Sequence, residues 1–417
     1  MDRKDGFRIQ NSQVDIVSSQ GDLNLAAAPQ IEVATTRLEP VCFEPEFELL
    51  LACCAEDSGE HSLAEFLIPS LRWDRVLWLA DQHRLLPALY ASVCNRDDLP
   101  GSIQSAIRAR FEGHAIRVLR FSAELARILQ HFADREIQAL AHKGPVLAHL
   151  LYGDAAMRQF GDLDFLVRSR DIARARSALR ELGYEPHLCL QLSPRQKKAY
   201  LRSGYEYVFG LNAEKNLVEL QWQILPRFYS VEFDLDELFQ RSLEVAFERN
   251  RLRTLLHEDL MLVLCVHAAK HEWAQLGMIR DIATLARFEL DWPWIEAEAR
   301  RLGILRILGI SLLLARNLFR CRAPGSLKFL TGDAEELASE IEFKLASGLE
   351  PENESLRHFS VMMRTRERWQ DRMRLAWRLA FTPSIGEWQT VNIPDWLFPL
   401  YRGVRAGRLL GRLAGFS

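Results

Sequence analysis

Arg158-Gln-Phe-Gly-Asp-Leu-Asp-Phe-Leu-Val167 is the stretch that decides the fold. Leu163 to Val167 has the length and the apolar content of a short strand, and Asp162 and Asp164 interrupt it two residues apart. Residues at that spacing lie on one face of a strand, so both carboxylates point the same way. Two like charges side by side repel, and a cation between them sustains the arrangement most easily. Mg²⁺, a hard oxygen-seeking ion that also binds phosphates, fits best, with Mn²⁺ as the substitute. Two solvated acids at a strand edge would give the same short pattern. Gly161 before the pair, Phe165-Leu-Val167 after it and Lys143-Gly144 upstream favour the metal.

The flanking segments read as a compact α/β unit. Ile137 to Ala141 is a strand, and Pro145 opens a short helix that runs to Tyr152. Backbone N–H groups at such a helix start form an anion site beside Lys143, and Gly144 supplies the tight turn. Asp171 to Leu182 is a helix closed by Gly183. Tyr205 to Leu211 and Leu217 to Ile224 are strands joined by the hairpin-length loop Asn212-Ala-Glu-Lys-Asn216. Glu219 and Gln221 share one face of the second strand, while Val218, Leu220 and Trp222 share the other. If this strand pairs beside that of Asp162, Glu219 becomes a third carboxylate. Such a site aligns a nucleotide's phosphates around one or two Mg²⁺ ions and activates a hydroxyl for in-line attack.

Helical periodicity surrounds this unit. A long amphipathic helix is expected from Gly101 to Ala133, with Ile116, Leu119, Leu125, Ile128 and Leu129 on its buried side. After Asp234 the chain returns to helices, clearest at Glu258–Trp273, Met278–Phe288, Trp294–Leu302, Leu305–Phe319 and Arg364–Ala380. Residues 1–40 are polar and aperiodic and read as a disordered leader. The expected divisions are therefore this leader, an N-terminal helical region over 41–135, the α/β core over 136–232 and a C-terminal helical domain over 233–417.

Composition narrows the class. The 417 residues are 48% hydrophobic, with 53 Lys+Arg against 56 Asp+Glu and a net charge of -3. A dedicated binder of long nucleic acid would need a basic excess. The eleven arginines between Leu356 and Ser417, against four acids, give only the tail that character; they read as a solvated face or as a surface for an acceptor or other anionic partner. No apolar run has the ~18–20 residues of a membrane span, and the N-terminus has no apolar signal segment. Seven cysteines without a CxxC pair suit a reducing cytoplasm.

The order of strand, Lys143-Gly144 turn, short helix, Arg158, Asp162-x-Asp164 strand and later Glu219 strand resembles the DNA polymerase beta-like nucleotidyltransferase superfamily. More closely, the chain is similar to a bacterial family of uncharacterised nucleotidyltransferases. That likeness runs from Phe47 to Leu413 and includes Trp73-Asp74, Ala80-Asp-Gln-His-Arg84, His267-Ala-Ala-Lys-His-Glu-Trp273, Asp281-Ile-Ala283, Pro394, Leu400-Tyr401 and Arg405. It implies an α+β fold: a small mixed β-sheet nucleotidyltransferase core flanked by N-terminal and C-terminal helical regions. It also implies transfer of a nucleoside monophosphate from a triphosphate such as ATP, or another nucleotide donor, to a hydroxyl. Members of the nearer family resemble accessory enzymes of polysaccharide or modified-peptide pathways, so the acceptor is a small molecule, glycan or peptide. The same site could instead move a phosphoryl or glycosyl group, or survive as a binding scaffold.

Within this resemblance Asp162, Asp164 and Glu219 are the catalytic, metal-holding residues. Lys143, Gly144, Arg158 and Lys270 serve the phosphates, although Arg158 could simply pair with Asp162. His267, Lys270 and His271 share one helix face, where the histidines orient the nucleotide or form hydrogen bonds between regions. A zinc protease is disfavoured because the run His-Ala-Ala-Lys-His lacks the glutamate of HExxH. Gln221 stands where the family pattern Glu-Leu-His-Trp has histidine, which weakens a general-base role there. Asp281 is either a packing anchor or a site residue, and tryptophans 73, 78, 222, 273 and 369 read as core.

Overall fold

Alternation along two central strands gives the sheet its two faces. The computed structural model describes residues 43–55, 63–187, 192–211, 214–248, 250–321, 332–347 and 354–413; the expected leader lies outside them. Strands β1 (Ala139–Ala141), β2 (Leu163–Val167), β3 (Glu185–Pro186), β4 (Glu206–Leu211) and β5 (Glu214–Gln221) form one mixed sheet in the order β1-β2-β5-β4-β3. β2 and β5 are parallel neighbours, with Asp164 opposite Glu219, and the remaining pairings are antiparallel.

One face is apolar. Leu163, Phe165, Val167, Val218, Leu220 and Trp222 pack with Phe121, Leu125, Ile128 and Phe132 of the Gly101–Ala133 helix and with Ala175 and Leu179 of the Ile172–Glu181 helix. The opposite face carries Asp164, Glu219 and Gln221. Beside them Leu140 and Leu166 join a second, larger cluster that draws on helices from Phe47 to Leu375. At its centre is the His257–Lys270 helix, where Leu260 to Val266 are all buried. A helix apolar all round can only be central, so its last turn brings His267 and Lys270 into the interior.

Several expectations change. Helix Gly101–Ala133 has the expected bounds, but Ile116 and Leu119 are 62% and 67% exposed. The buried stripe runs through Ile107, His114, Val118, Phe121 and Leu125, and one helix face cannot hold every apolar residue of so long a helix. β5 begins at Glu214 and ends at Gln221, because ladder bonds to β4 recruit residues assigned to the loop; residues 212–213 lie outside those described. A further hairpin, β6 (Leu243–Phe247) and β7 (Asn250–Thr254), stands where only helices were expected, and its Phe247 and Leu252 join the sheet's apolar cluster. The run over Arg364–Ala380 is two helices, Glu354–Arg364 and Trp369–Phe381. They are parted by buried Arg366, which donates to the carbonyls of Tyr229 (2.6 Å) and Gly303 (3.3 Å). Trp222 and Trp273 are core as expected, but Trp78 and Trp369 are exposed.

Candidate active site

The polar face of the sheet and the helical body enclose a cavity of about 300 Å³. It is lined by Lys143, Gly144, Arg158, Asp162, Asp164 and Glu219 from the α/β unit, together with His267, Lys270 and His271. All nine residues singled out in the sequence therefore meet in one place. Arg84, Tyr205 and Gln221 line it as well.

Strand register sets the carboxylates. Asp164 and Glu219 sit side by side on the parallel pair, and Asp162 immediately precedes β2. Lys143 Nζ donates to Asp164 Oδ1 at 3.0 Å, and the Gln221 amide nitrogen donates both to that oxygen, at 2.8 Å, and to Glu219 Oε2, at 2.9 Å. Burial resists the charge on Asp164, yet the Lys143 ammonium holds its carboxyl below the ordinary range. Among the described residues, the other two acids have no such ion-pair partner. Burial, then the charge of Asp164, pushes Asp162 up to about 6 and Glu219 up to about 9. The three carboxyls thus resist being ionised together beside the single Lys143 ammonium, and a bound cation would restore their charge.

Gly144 carries the close approach. Its φ is +59°, and a Cβ there would lie 3.2 Å from the Asp162 carbonyl oxygen. Only glycine lets the start of the Gly144–Tyr152 helix press against the chain that enters β2.

The cationic residues are held differently. Arg158 Nε donates to Asp281 Oδ2 at 2.8 Å, and Tyr152 donates its hydroxyl to Asp281 Oδ1 at 2.8 Å. Asp281 is therefore a packing anchor, and it takes Arg158 where a pairing with Asp162 was the alternative. Lys270 Nζ donates to the Tyr205 hydroxyl at 2.8 Å. The rings of His267 and His271 meet edge to face, 4.8 Å apart. Burial, reinforced by neighbouring cations, pushes both below the ordinary histidine range, His271 to about 4. Both imidazoles are neutral at physiological pH.

A model of the uncharacterised nucleotidyltransferase family matches residues 69–320, more than half of the sequence. The chain belongs to that family. It is thus a nucleotidyltransferase, of a class that generally uses divalent metals and takes a nucleotide donor. No curated protein and no solved structure matches the chain. The matched span holds every residue that lines the cavity, whereas the likeness expected at Phe47 and beyond Pro394 lies outside it.

The donor set of this nucleotidyltransferase suits a divalent ion that is shared with substrate. Among the described residues, no three His, Cys, Asp or Glu side chains converge as a self-sufficient metal cage. Mg²⁺ and its analogues characteristically keep several waters and bind through one or two carboxylates plus substrate phosphates. An open group of hard oxygen donors around a cavity matches that habit.

Arg84 and Tyr205 had been given no role from the sequence. Arg84 ends the Ala80-Asp-Gln-His-Arg84 motif, but nothing in local spacing brings it to residues of the sheet. Tyr205 lies just before β4, where the pattern reports only burial.

Proposed function

We propose that the protein transfers a nucleoside monophosphate from a nucleoside triphosphate to a hydroxyl of a small-molecule, glycan or peptide acceptor, with release of pyrophosphate. The parallel register that sets Asp164 beside Glu219, with Asp162 just before the strand, carries this reading. A polymerase beta-like superfamily placement and a cytoplasmic setting belong to the same proposal. Cys53, Cys54, Cys94 and Cys265 are free thiols, and no described helix is long and apolar enough to cross a membrane.

Asp162, Asp164 and Glu219 would hold the divalent ion, Mg²⁺ or Mn²⁺, which when bound supplies positive charge to the phosphates and acidifies the acceptor hydroxyl. Lys143 balances Asp164 until substrate arrives. Gln221 fixes the two neighbouring carboxyls through its paired hydrogen bonds, and Glu219, which the cation's charge would return to its ionised form, would complete the site and help activate the acceptor hydroxyl. The helix start at Gly144 offers backbone N–H groups to phosphate oxygens. Arg158 and Lys270 add positive charge, and the neutral imidazoles of His267 and His271 orient the nucleotide by hydrogen bonding.

The test is incubation of the purified protein with nucleoside triphosphates, Mg²⁺ or Mn²⁺ and a panel of acceptors, following pyrophosphate release and acceptor mass. A nucleotide-sized mass gain that Asp164→Asn abolishes supports the reading. Equal turnover by Asp164→Asn, or a phosphoryl or glycosyl mass gain, overturns it.

A further inference from the structure

The cations at the cavity are not equivalent. Lys143 is committed to Asp164 and Arg158 to Asp281, both as close ion pairs. Among the described residues, the hydrogen-bond partner of Lys270 Nζ is the neutral Tyr205 hydroxyl. Among the described residues, the Arg84 guanidinium has no hydrogen-bond or ion-pair partner, although it lines both the main cavity and a narrow side pocket shared with Arg158 and Asp281. Arg84 is an exposed residue; partial burial and the nearby Arg158 charge push it below the ordinary range for arginine, against the opposing charges of Asp162 and Asp281.

The backbone at Arg84 is also special. Its φ is +57°, a left-handed conformation that a side-chain-bearing residue adopts only at a cost. Gly277 enforces it: its N–H donates to the His83 carbonyl at 2.9 Å, and a Cβ there would stand 3.0 Å from that oxygen and 3.2 Å from Arg84 Cβ. The turn that presents Arg84 is thus clamped to the first residues of the Leu276–Leu285 helix.

We propose that Arg84, seconded by Lys270, receives the terminal phosphates of the nucleoside triphosphate and retains them as the departing pyrophosphate. This rests on the nucleotidyl-transfer reading and adds to it a leaving-group site contributed by the helical body. The planar guanidinium can grip phosphate oxygens in a two-pronged fashion. Pyrophosphate carries the most concentrated charge in the reaction, which is what two cations that form no close ion pair among the described residues are suited to take.

Calorimetric titration of the full chain with Mg²⁺ tests this, using non-hydrolysable α,β-methylene nucleoside triphosphates, nucleoside monophosphates and inorganic pyrophosphate as probes. Arg84→Gln is expected to weaken triphosphate and pyrophosphate binding by about tenfold to a hundredfold, the value of a charged hydrogen bond. Monophosphate binding should stay within about twofold of wild type, well below that 1.4 kcal/mol step. Arg84→Gly, which relaxes the left-handed backbone, should melt no lower than wild type and lose the same affinity, so misfolding cannot explain the result. Wild-type-like pyrophosphate and triphosphate binding by both variants would overturn the Arg84 assignment alone, as would equal losses for mono- and triphosphates. A wild-type protein that binds none of the probes would sink the nucleotide reading and this inference with it.

Discussion

The two walls of the cavity are built in opposite ways. On the sheet wall, Asp162, Asp164, Glu219 and Gln221 come from two hydrogen-bonded neighbours, and strand register alone fixes their spacing. On the helical wall, Arg84 comes from one turn and His267, Lys270 and His271 from the end of a distant helix, held by glycine contacts, left-handed turns and polar bonds over long sequence distances. Arg158 joins them through Asp281, 123 residues away. A side chain changed on the sheet wall should therefore alter chemistry and spare the fold. On the helical wall, support and function share the same residues.

The largest effect should come from Glu219→Gln. The new amide keeps an oxygen to accept the Gln221 hydrogen bond, so the strand is undisturbed, but a carboxyl that a bound cation would ionise is lost. Turnover is expected to fall by about 10²–10³-fold, as when a transition-state-stabilising group is removed, with the melting temperature held. A large drop in melting temperature would break the contrast between the walls. Asp281→Asn should show the reverse balance. It removes the charge that compensates buried Arg158 and weakens the Tyr152 hydroxyl contact, at a cost of about 3 kcal/mol of stability for a broken buried pair. Urea unfolding measures this, and loss of activity without loss of stability would place Asp281 on the chemical side.

Gly144→Ala sits where the walls join and should cost less, about 1–2 kcal/mol from the left-handed φ. The added methyl also displaces the Asp162 carbonyl, so turnover should fall along with stability. A stability loss at full activity would mean that the approach of Gly144 to Asp162 does not set the site.

What the sequence made legible follows the same division. The carboxylates were readable because a period of two is local: Leu163, Phe165 and Val167 face the core, so Asp164 must face away, and the same logic orients Glu219. Arg84 and the anchoring role of Asp281 were not readable, because their partners, Gly277 and Arg158, reach them only through helix packing. Ile116 and Leu119 show the limit of composition, since periodicity finds an apolar face but cannot choose between two when a long helix offers both. The β6–β7 hairpin hid for another reason. Leu243, Val245 and Phe247 alternate correctly, but β7 reads Asn-Arg-Leu-Arg-Thr and buries only Leu252 and Thr254.

The smallest effect tests how the helical wall is pinned. Glu272 and Trp273 follow Lys270 and His271 with φ values of +53° and +51°, so the turn behind the cationic residues is conformationally costly. Glu272 meets His358 Nδ1 at 3.3 Å and Lys344 Nζ at 3.2 Å, and these partners, His358 foremost, hold its carboxyl down at about 2 against the opposing effect of burial. A carboxyl whose folded value lies below its ordinary 4.5 lends stability above that pH and loses it as pH falls towards 2. Because the group is only half buried, solvent screening reduces the gain to about 1 kcal/mol. Glu272→Gln should therefore unfold in urea about 1 kcal/mol more easily than wild type at neutral pH, with the gap closing as the pH is lowered from about 5 to about 2. A gap that stays constant across this range would mean that packing, not charge, secures the turn. The helical wall would then resemble the sheet wall more closely than its ion pairs suggest.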